Sequence, residues 1–442
     1  MNSFALPDFG GVPLTLLSFV VALSIIVAIH EYGHYIVGRW CGIHAEVFSL
    51  GFGPVLYSRV DRRGTKWQIA LLPLGGYVKF LGDANAASVG AHEVAESERR
   101  RTMLGAPLWA RAATVAAGPI FNFILSAVIF TAVIMGQGQA ADPIRVARFD
   151  PLPPAFENAL EPGDEIVAVE GQAMPGVEDL GPFLRALPQS QVLTYTVRRD
   201  GGEVDVTGPW PYPPLIDALS PGSAAYDVDL RPGDVVTAID DDPIYRFDQI
   251  IERMTAAEGT PVKLTVWRNG ETLDFAVAAR SRDLPDGAGG FEQRWLIGIT
   301  GGLFFDLVTE TPSPWEALRL GLAQVWDIIV SSISGLYHMI GGAISSCNVS
   351  GPVGIAQAAG VMASQGGTSF IWFVAVLSAA VGLLNLFPVP ILDGGHLVFH
   401  AYEAVRGRPP SEGALRVLMA GGLAVILSLM VFGLANDLFL CT

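Results

Sequence analysis

The chain has 442 residues, of which 51% are hydrophobic and only 16% charged, and its formal net charge is -16. A mean hydropathy of +0.42 is too high for an ordinary soluble protein and points to an integral membrane protein. The acidic balance excludes a nucleic-acid partner, because that binding needs clustered Lys and Arg against phosphate.

The first residues, MNSFALPDFGG, contain no Lys or Arg and so lack the basic region of a cleavable signal peptide. The uncharged run from Val12 to Ile29 is therefore expected to persist as a transmembrane helix over 12–36. Residues 46–80 read as β-structure, with apolar patches flanking a DRRG turn (61–64) and ending in Pro73 and the Gly75-Gly76 pair. Between two spans, such a hairpin must be re-entrant or interfacial, and protein or a water cavity must cover its backbone. A second span is expected over 109–135. The acidic, Gly- and Pro-rich region 140–310 contains an internal repeat: PGDEIVAVEGQAM (162–174) recurs as PGDVVTAIDDDPI (232–244). LTYTVRRDGGEVDV (193–206) recurs likewise as KLTVWRNGETLDF (263–275). Each unit reads as a strand after Gly-Asp, a helical stretch, then strand-turn-strand, which resembles a tandem pair of PDZ domains. Residues 315–344 carry Arg319, Gln324, Asp327, Ser331, Ser334 and His338 on an apolar background, as a surface amphipathic helix does. Two further spans are expected over 369–387 and 413–436. Cys41, Cys347 and Cys441 lie far apart, match no disulfide framework and read as incidental thiols.

Basic residues set the topology. Arg59, Arg62, Arg63, Lys66 and Arg99 to Arg101 lie between the first two spans, and Arg406, Arg408 and Arg416 lie between the last two. Both stretches are expected in the cytoplasm. Both termini and the region 140–310 then lie outside, and 315–344 must stay on the outer face, since a further crossing would break the parity.

The first span ends in His30-Glu31-x-x-His34. On a helix the two imidazoles lie one turn apart on one face and can reach one zinc ion. Glu31 is placed to move a proton rather than to bind metal. An intramembrane carboxylate is costly unless it is paired or functional. A catalytic zinc normally has a third protein ligand. The supplier expected at the same depth and side is Asp393 in NLFPVPILDGGH (385–396), with His396 as the alternative. Pro388 and Pro390 break the helix there, and Asn385 could hydrogen-bond a substrate backbone or join two helices.

HEYGH (30–34), LPLGGYVKF (72–80), AAGPIFNF (116–123), the repeated units and NLFPVPILDGG (385–395) together resemble the site-2 protease family of intramembrane zinc metalloproteases, most closely its bacterial group of regulator of sigma-E proteases. The shared features span nearly the whole chain in the same order. The resemblance implies one Zn2+ held by His30, His34 and Asp393, with Glu31 as general base. It implies that Asn385, Pro388 and Pro390 line the substrate site, and that the hairpin bearing Gly75 and Gly76 clamps an unwound substrate by strand addition. Ala380 stands where family members often carry a second Asn.

The fold expected is an α-helical membrane protein with four transmembrane helices, a re-entrant β-hairpin and two periplasmic PDZ-like α+β domains. The segments are 1–138, the PDZ-like domains 139–210 and 211–284, the following region 285–368, and the final pair of spans 369–442. The activity expected is cleavage of single-span proteins in the bacterial inner membrane, such as an anti-sigma factor already cut outside, or remnant signal peptides. A non-catalytic metal-binding PDZ scaffold is the alternative. A cation transporter would need inverted repeats in the membrane part, and the sequence has none.

Overall fold

The computed structural model describes residues 11–82, 95–176, 179–285, 291–345, 347 and 349–440. Helix α1 (Val12–Trp40) starts at a proline in its first turn, and its long uncharged run has no helix breaker. A stripe of small residues on α1, including Ser18, Ala22 and Gly33, is buried. It meets α2 (Leu108–Gln137) so closely that a Cβ on Gly33 would lie 2.5 Å from the Ala117 carbonyl oxygen. Only small residues let two helix backbones approach to this distance in a membrane protein.

Between these helices lie β1 (Ala45–Val60) and β2 (Lys66–Phe80), joined by a turn in which Asp61 accepts hydrogen bonds from the Arg63 and Thr65 amides. Each strand is doubled. Residues 66–69 pair with 57–60 on one side and with 47–50 on the other, and 47–50 pair in turn with 76–79. Phe48, Val78 and Phe80 pack with Tyr35 of α1, whereas Leu56, Tyr57, Val60, Leu71 and Leu72 are exposed. The base of the hairpin is thus fixed to α1, and its far end presents an apolar surface.

The repeat becomes two similar sheets. The first has strands β3 (Glu165–Val169), β4 (Gln172–Ala173), β5 (Val192–Arg199) and β6 (Gly202–Pro209) in the order β4-β3-β5-β6, with α3 (Leu180–Ala186) beside it. The second has β7 (Val235–Ile239), β8 (Asp242–Pro243), β9 (Val262–Arg268) and β10 (Glu271–Val277) in the order β8-β7-β9-β10, with α4 (Phe247–Ala257). Alternate residues Leu193, Tyr195 and Val197, and likewise Val262, Leu264 and Val266, point into the two cores. The Pro-Gly-Asp of each unit has one physical role. Asp164 accepts from the Glu161 amide and from Arg199 Nε and Nη2, and Asp234 accepts from the Arg231 amide and from Arg268 Nε and Nη2.

A hairpin of β11 (Arg280–Pro285) and β12 (Phe291–Leu296) follows, and then the chain turns back as a strap. Residues 299–301 pair with 216–219 of the second unit, 305–307 with 146–149 of the first, and 309–310 with 139–140 just after α2. Strand pairing in both units therefore reaches past the residue-284 boundary suggested by the repeat. Repeat length alone could not reveal this, because the closing strands lie outside the repeated motif.

The membrane part continues with α5 (Pro314–Ile340), α6 (Pro352–Ser364), α7 (Gly367–Asn385), α8 (Asp393–Arg406) and α9 (Glu412–Ala435). Among the described residues, five helices are long and apolar enough to cross a membrane, against the four expected. The additional one is α5. Its start adjoins the strap, and its far end lies beside the β11–β12 hairpin, where Phe291 meets His338 at 4.9 Å and Asp283 accepts the Ser345 amide. Two turns in from its start, Gly321 lets α5 press on α2, where a Cβ would meet Thr131 Oγ1 at 2.5 Å. Asp437 accepts the amides of Gly351, Val353 and Gly354, which caps the start of α6 with a carboxylate. Cys347 is disulfide-bonded, so its reading as an incidental thiol is corrected; nothing near it in sequence signals the pairing.

Hydrogen bonds from Arg199 hold the Asp164 carboxyl below the usual carboxylate range. A depressed folded-state value means that this stabilisation is present above the unfolded pKa of about 4 and is lost as pH falls through the folded value. In Asp164→Asn, thermal melting should show a loss of about 2 kcal/mol at pH 7 from a charged hydrogen-bond pair, and a smaller loss at pH 3. Equal losses at both pH values would refute the assignment.

Candidate metal centre

His30 and His34 lie on successive turns of α1, on the face that meets α2. Their Nε2 atoms are 3.1 Å apart. Asp393, the first residue of α8, places Oδ2 at 3.2 Å from His30 Nε2 and 3.5 Å from His34 Nε2. All three groups are largely buried, with Asp393 Oδ2 turned toward both imidazoles. Tetrahedral zinc with ligands at about 2.0–2.1 Å has ligand–ligand edges of about 3.3 Å, so this donor set fits the ion. Among the described residues, it is the one group of three or more such side chains close enough to share a metal.

The surroundings explain the convergence. Gly118 of α2 sits directly beneath the imidazoles: a Cβ there would lie 2.4 Å from His34 Nε2 and 2.8 Å from His30 Cε1. His34 Nδ1 lies 2.8 Å from the Thr114 carbonyl. Donation to that carbonyl places the proton on Nδ1 and leaves the Nε2 lone pair facing Asp393. Asn122, fully buried one turn beyond Gly118, approaches His30 Nδ1 at 3.3 Å.

The third donor arrives by a tight reversal after α7. A Cβ on Gly394 would meet the Leu386 carbonyl at 2.2 Å, and one on Gly395 would meet the Val389 carbonyl at the same distance. The two glycines of LDGG are therefore required by backbone packing around the prolines. Further along α8, Glu403 forms a two-point ion pair with Arg111 of α2, at 2.7 and 3.0 Å. Both ends of the third-ligand segment are thus tied to neighbouring elements. His396, the alternative donor, instead hydrogen-bonds back to the Leu392 carbonyl.

Glu31 projects beside the histidines next to β2, where Gly76 leaves space for its stem: a Cβ there would lie 3.2 Å from Glu31 Cγ. A Cβ on Gly76 would meet the Ser49 carbonyl at 2.8 Å, and one on Gly75 would enter the Phe52 ring. Both glycines thus allow the hairpin to close on itself beside Glu31. Asn385 binds its own helix, at Val381 O, and Pro390 packs on Gly422 of α9. Pro388 lies in the same short turn between α7 and α8. Sequence reasoning did not single out Gly118, Asn122, Thr114, Arg111 or Glu403. The quoted motif AAGPIFNF contained the first two without assigning them roles.

The model of Peptidase family M50 matches residues 18–429. A protein of Agrobacterium fabrum named "Putative zinc metalloprotease" is 37% identical over 429 residues, covering 95% of this chain and 94% of that protein. A Rhizobium meliloti protein with the same designation is 35% identical, covering 96% of each. The regulator of sigma-E protease RseP of Salmonella typhimurium is 30% identical over 452 residues, covering 96% of this chain and 98% of that one. The chain belongs to peptidase family M50 and is a zinc metalloprotease.

Proposed function

We propose that this protein is an intramembrane endopeptidase that cuts the spans of single-pass proteins in the bacterial inner membrane. The observation that supports this reading most is the meeting of His30, His34 and Asp393 between apolar helices, with Glu31 alongside. In this reading His30, His34 and Asp393 hold the zinc. When bound, the ion polarises the scissile carbonyl and makes water a nucleophile near neutral pH. Glu31 takes the proton from the attacking water and returns it to the departing amide nitrogen.

A helical span hides its peptide bonds in internal hydrogen bonds, so it must unwind before cleavage. The β1–β2 hairpin is proposed as a re-entrant clamp, with Gly75 and Gly76 at the point where an unwound segment would add as a strand next to Glu31. Asn385, Pro388 and Pro390 would border the same segment, with the Asn385 amide released from Val381 O to bind substrate backbone.

The units around residues 139–210 and 211–284 are proposed as PDZ-like domains, each completed by part of the 299–310 strap. They would exclude bulky outer domains, so substrates would be proteins already trimmed outside, such as an anti-sigma factor, and leftover signal peptides. Segment 1–138 would supply the first two spans, 285–368 the strap and α5, and 369–442 the last two. Contact of both ends of α5 with the repeat region supports four crossings, with α5 lying along the outer face. The disulfide at Cys347 favours an oxidising, periplasmic location for that side.

In Glu31→Gln, zinc content should remain one per chain, while cleavage of a single-span substrate in proteoliposomes should fall by roughly 10²–10⁴-fold. Retained cleavage would overturn the proposal, and a zinc-loaded wild type with no cleavage would favour a scaffold. Gly118→Ala would place a methyl group against both imidazoles. Chelator competition should show weaker zinc binding in that variant, and unchanged affinity would contradict the assigned ligands.

A further inference from the structure

We infer that Asn122 of α2 is a positioning residue for the zinc site, one that fixes which nitrogen of His30 carries the proton. The inference rests on the reading of His30 as a zinc ligand. Two imidazoles face one ion, and each must offer an unprotonated Nε2. For a neutral ring this places the proton on Nδ1, which then needs an acceptor. His34 has one in the Thr114 carbonyl at 2.8 Å. Next to His30 Nδ1 stands Asn122 instead, 3.3 Å away and fully buried.

The Asn122 amide stands with Nδ2 toward His30 Nδ1. That donation leaves the proton on His30 Nε2, which lies 3.2 Å from Asp393 Oδ2. An amide donor at Nδ1 favours the tautomer that cannot ligate through Nε2. Asn122 Oδ1 is buried and has no hydrogen-bond partner. A half-turn of the amide therefore sacrifices no bond at Oδ1 and presents the acceptor that His30 Nδ1–H requires. Either end of an amide can face the ring, because one end donates and the other accepts, whereas a carbonyl, as at Thr114, can only accept.

Asn122 is also held firmly enough to act in this way. Its backbone carbonyl accepts a hydrogen bond from Ser378 Oγ of α7 at 3.0 Å. Gly382, one turn further along α7, lies against its Cβ. The amide thus turns on a fixed stem between α1, α2 and α7.

The experiment compares Asn122→Leu, which keeps the branched shape in a somewhat larger side chain without an acceptor, with Asn122→Asp, which keeps an acceptor. Zinc affinity is measured on the full-length purified protein by chelator competition, with His30→Ala as control and apo-protein melting as a check on folding. Asn122→Leu should bind zinc roughly 10–100-fold more weakly, whereas Asn122→Asp should bind at least as well as wild type. Wild-type affinity in the Leu variant would overturn the inference while leaving the ligand set intact. Equal weakening in the Leu and Asp variants would also overturn it, by reducing Asn122 to a packing role. Unchanged affinity in His30→Ala would remove the ligand assignment itself, and the inference with it.

Discussion

The closest approach of α1 to α2 organises the whole membrane part. At Gly33 and Ala117 the two backbones touch with no side chain between them, and one residue later Gly118 lies beneath both histidines. An ion site built on helices gains precision only when the helices cannot shift. Here the contact is steric, and any added methyl group would break it. The same contact places the Thr114 carbonyl and the Asn122 amide, one turn to either side of Gly118, at the Nδ1 atoms of the two rings.

The remaining elements complete what that contact begins. Asp393 belongs to a different part of the chain and would contribute little if α8 could swing. The Gly394-Gly395 packing fixes one end of its segment, and the Arg111–Glu403 pair anchors the rest of the helix. A buried ion pair is weak evidence for net stability, because desolvation offsets much of its attraction. Its geometric effect is clearer: two parallel hydrogen bonds from a planar guanidinium allow one orientation of the helix that bears Glu403. On the opposite side, the base of the hairpin packs on Tyr35, one residue after His34. Glu31 therefore has the two histidines and Asp393 on one side and a strand edge on the other.

The sequence revealed those parts whose signal is local. HExxH needs only one helical turn, and the spans follow from composition, with the Pro-Gly-Asp repeat legible because each Asp caps a nearby amide. Asp393 could be chosen over His396 only with help from family resemblance, and the structure shows why His396 is not placed to compete: its imidazole bends back on its own turn. What remained hidden depends on pairs far apart in the chain. Arg111 with Glu403, Asn122 with His30, and Gly118 with His34 carry no periodicity that would betray them. The status of α5 was equally ambiguous, since one helix can be apolar enough to cross and still have both ends held on one side. The disulfide at Cys347 left no local trace either.

The strap has a consequence for how the chain is made. Residues 305–307 supply a strand beside 146–149, so the first unit is finished by a segment synthesised after the entire second unit. The second unit is in effect an insertion inside the first. Emerging from a ribosome, the earlier unit must wait with an unpaired strand until its successor has passed, which reverses the usual N-terminal-first order of domain folding. The last strand pair, 309–310 with 139–140, then closes the loop at the end of α2. A chain stalled before residue 310 would therefore carry a complete HExxH helix while the first unit still lacked its last strand.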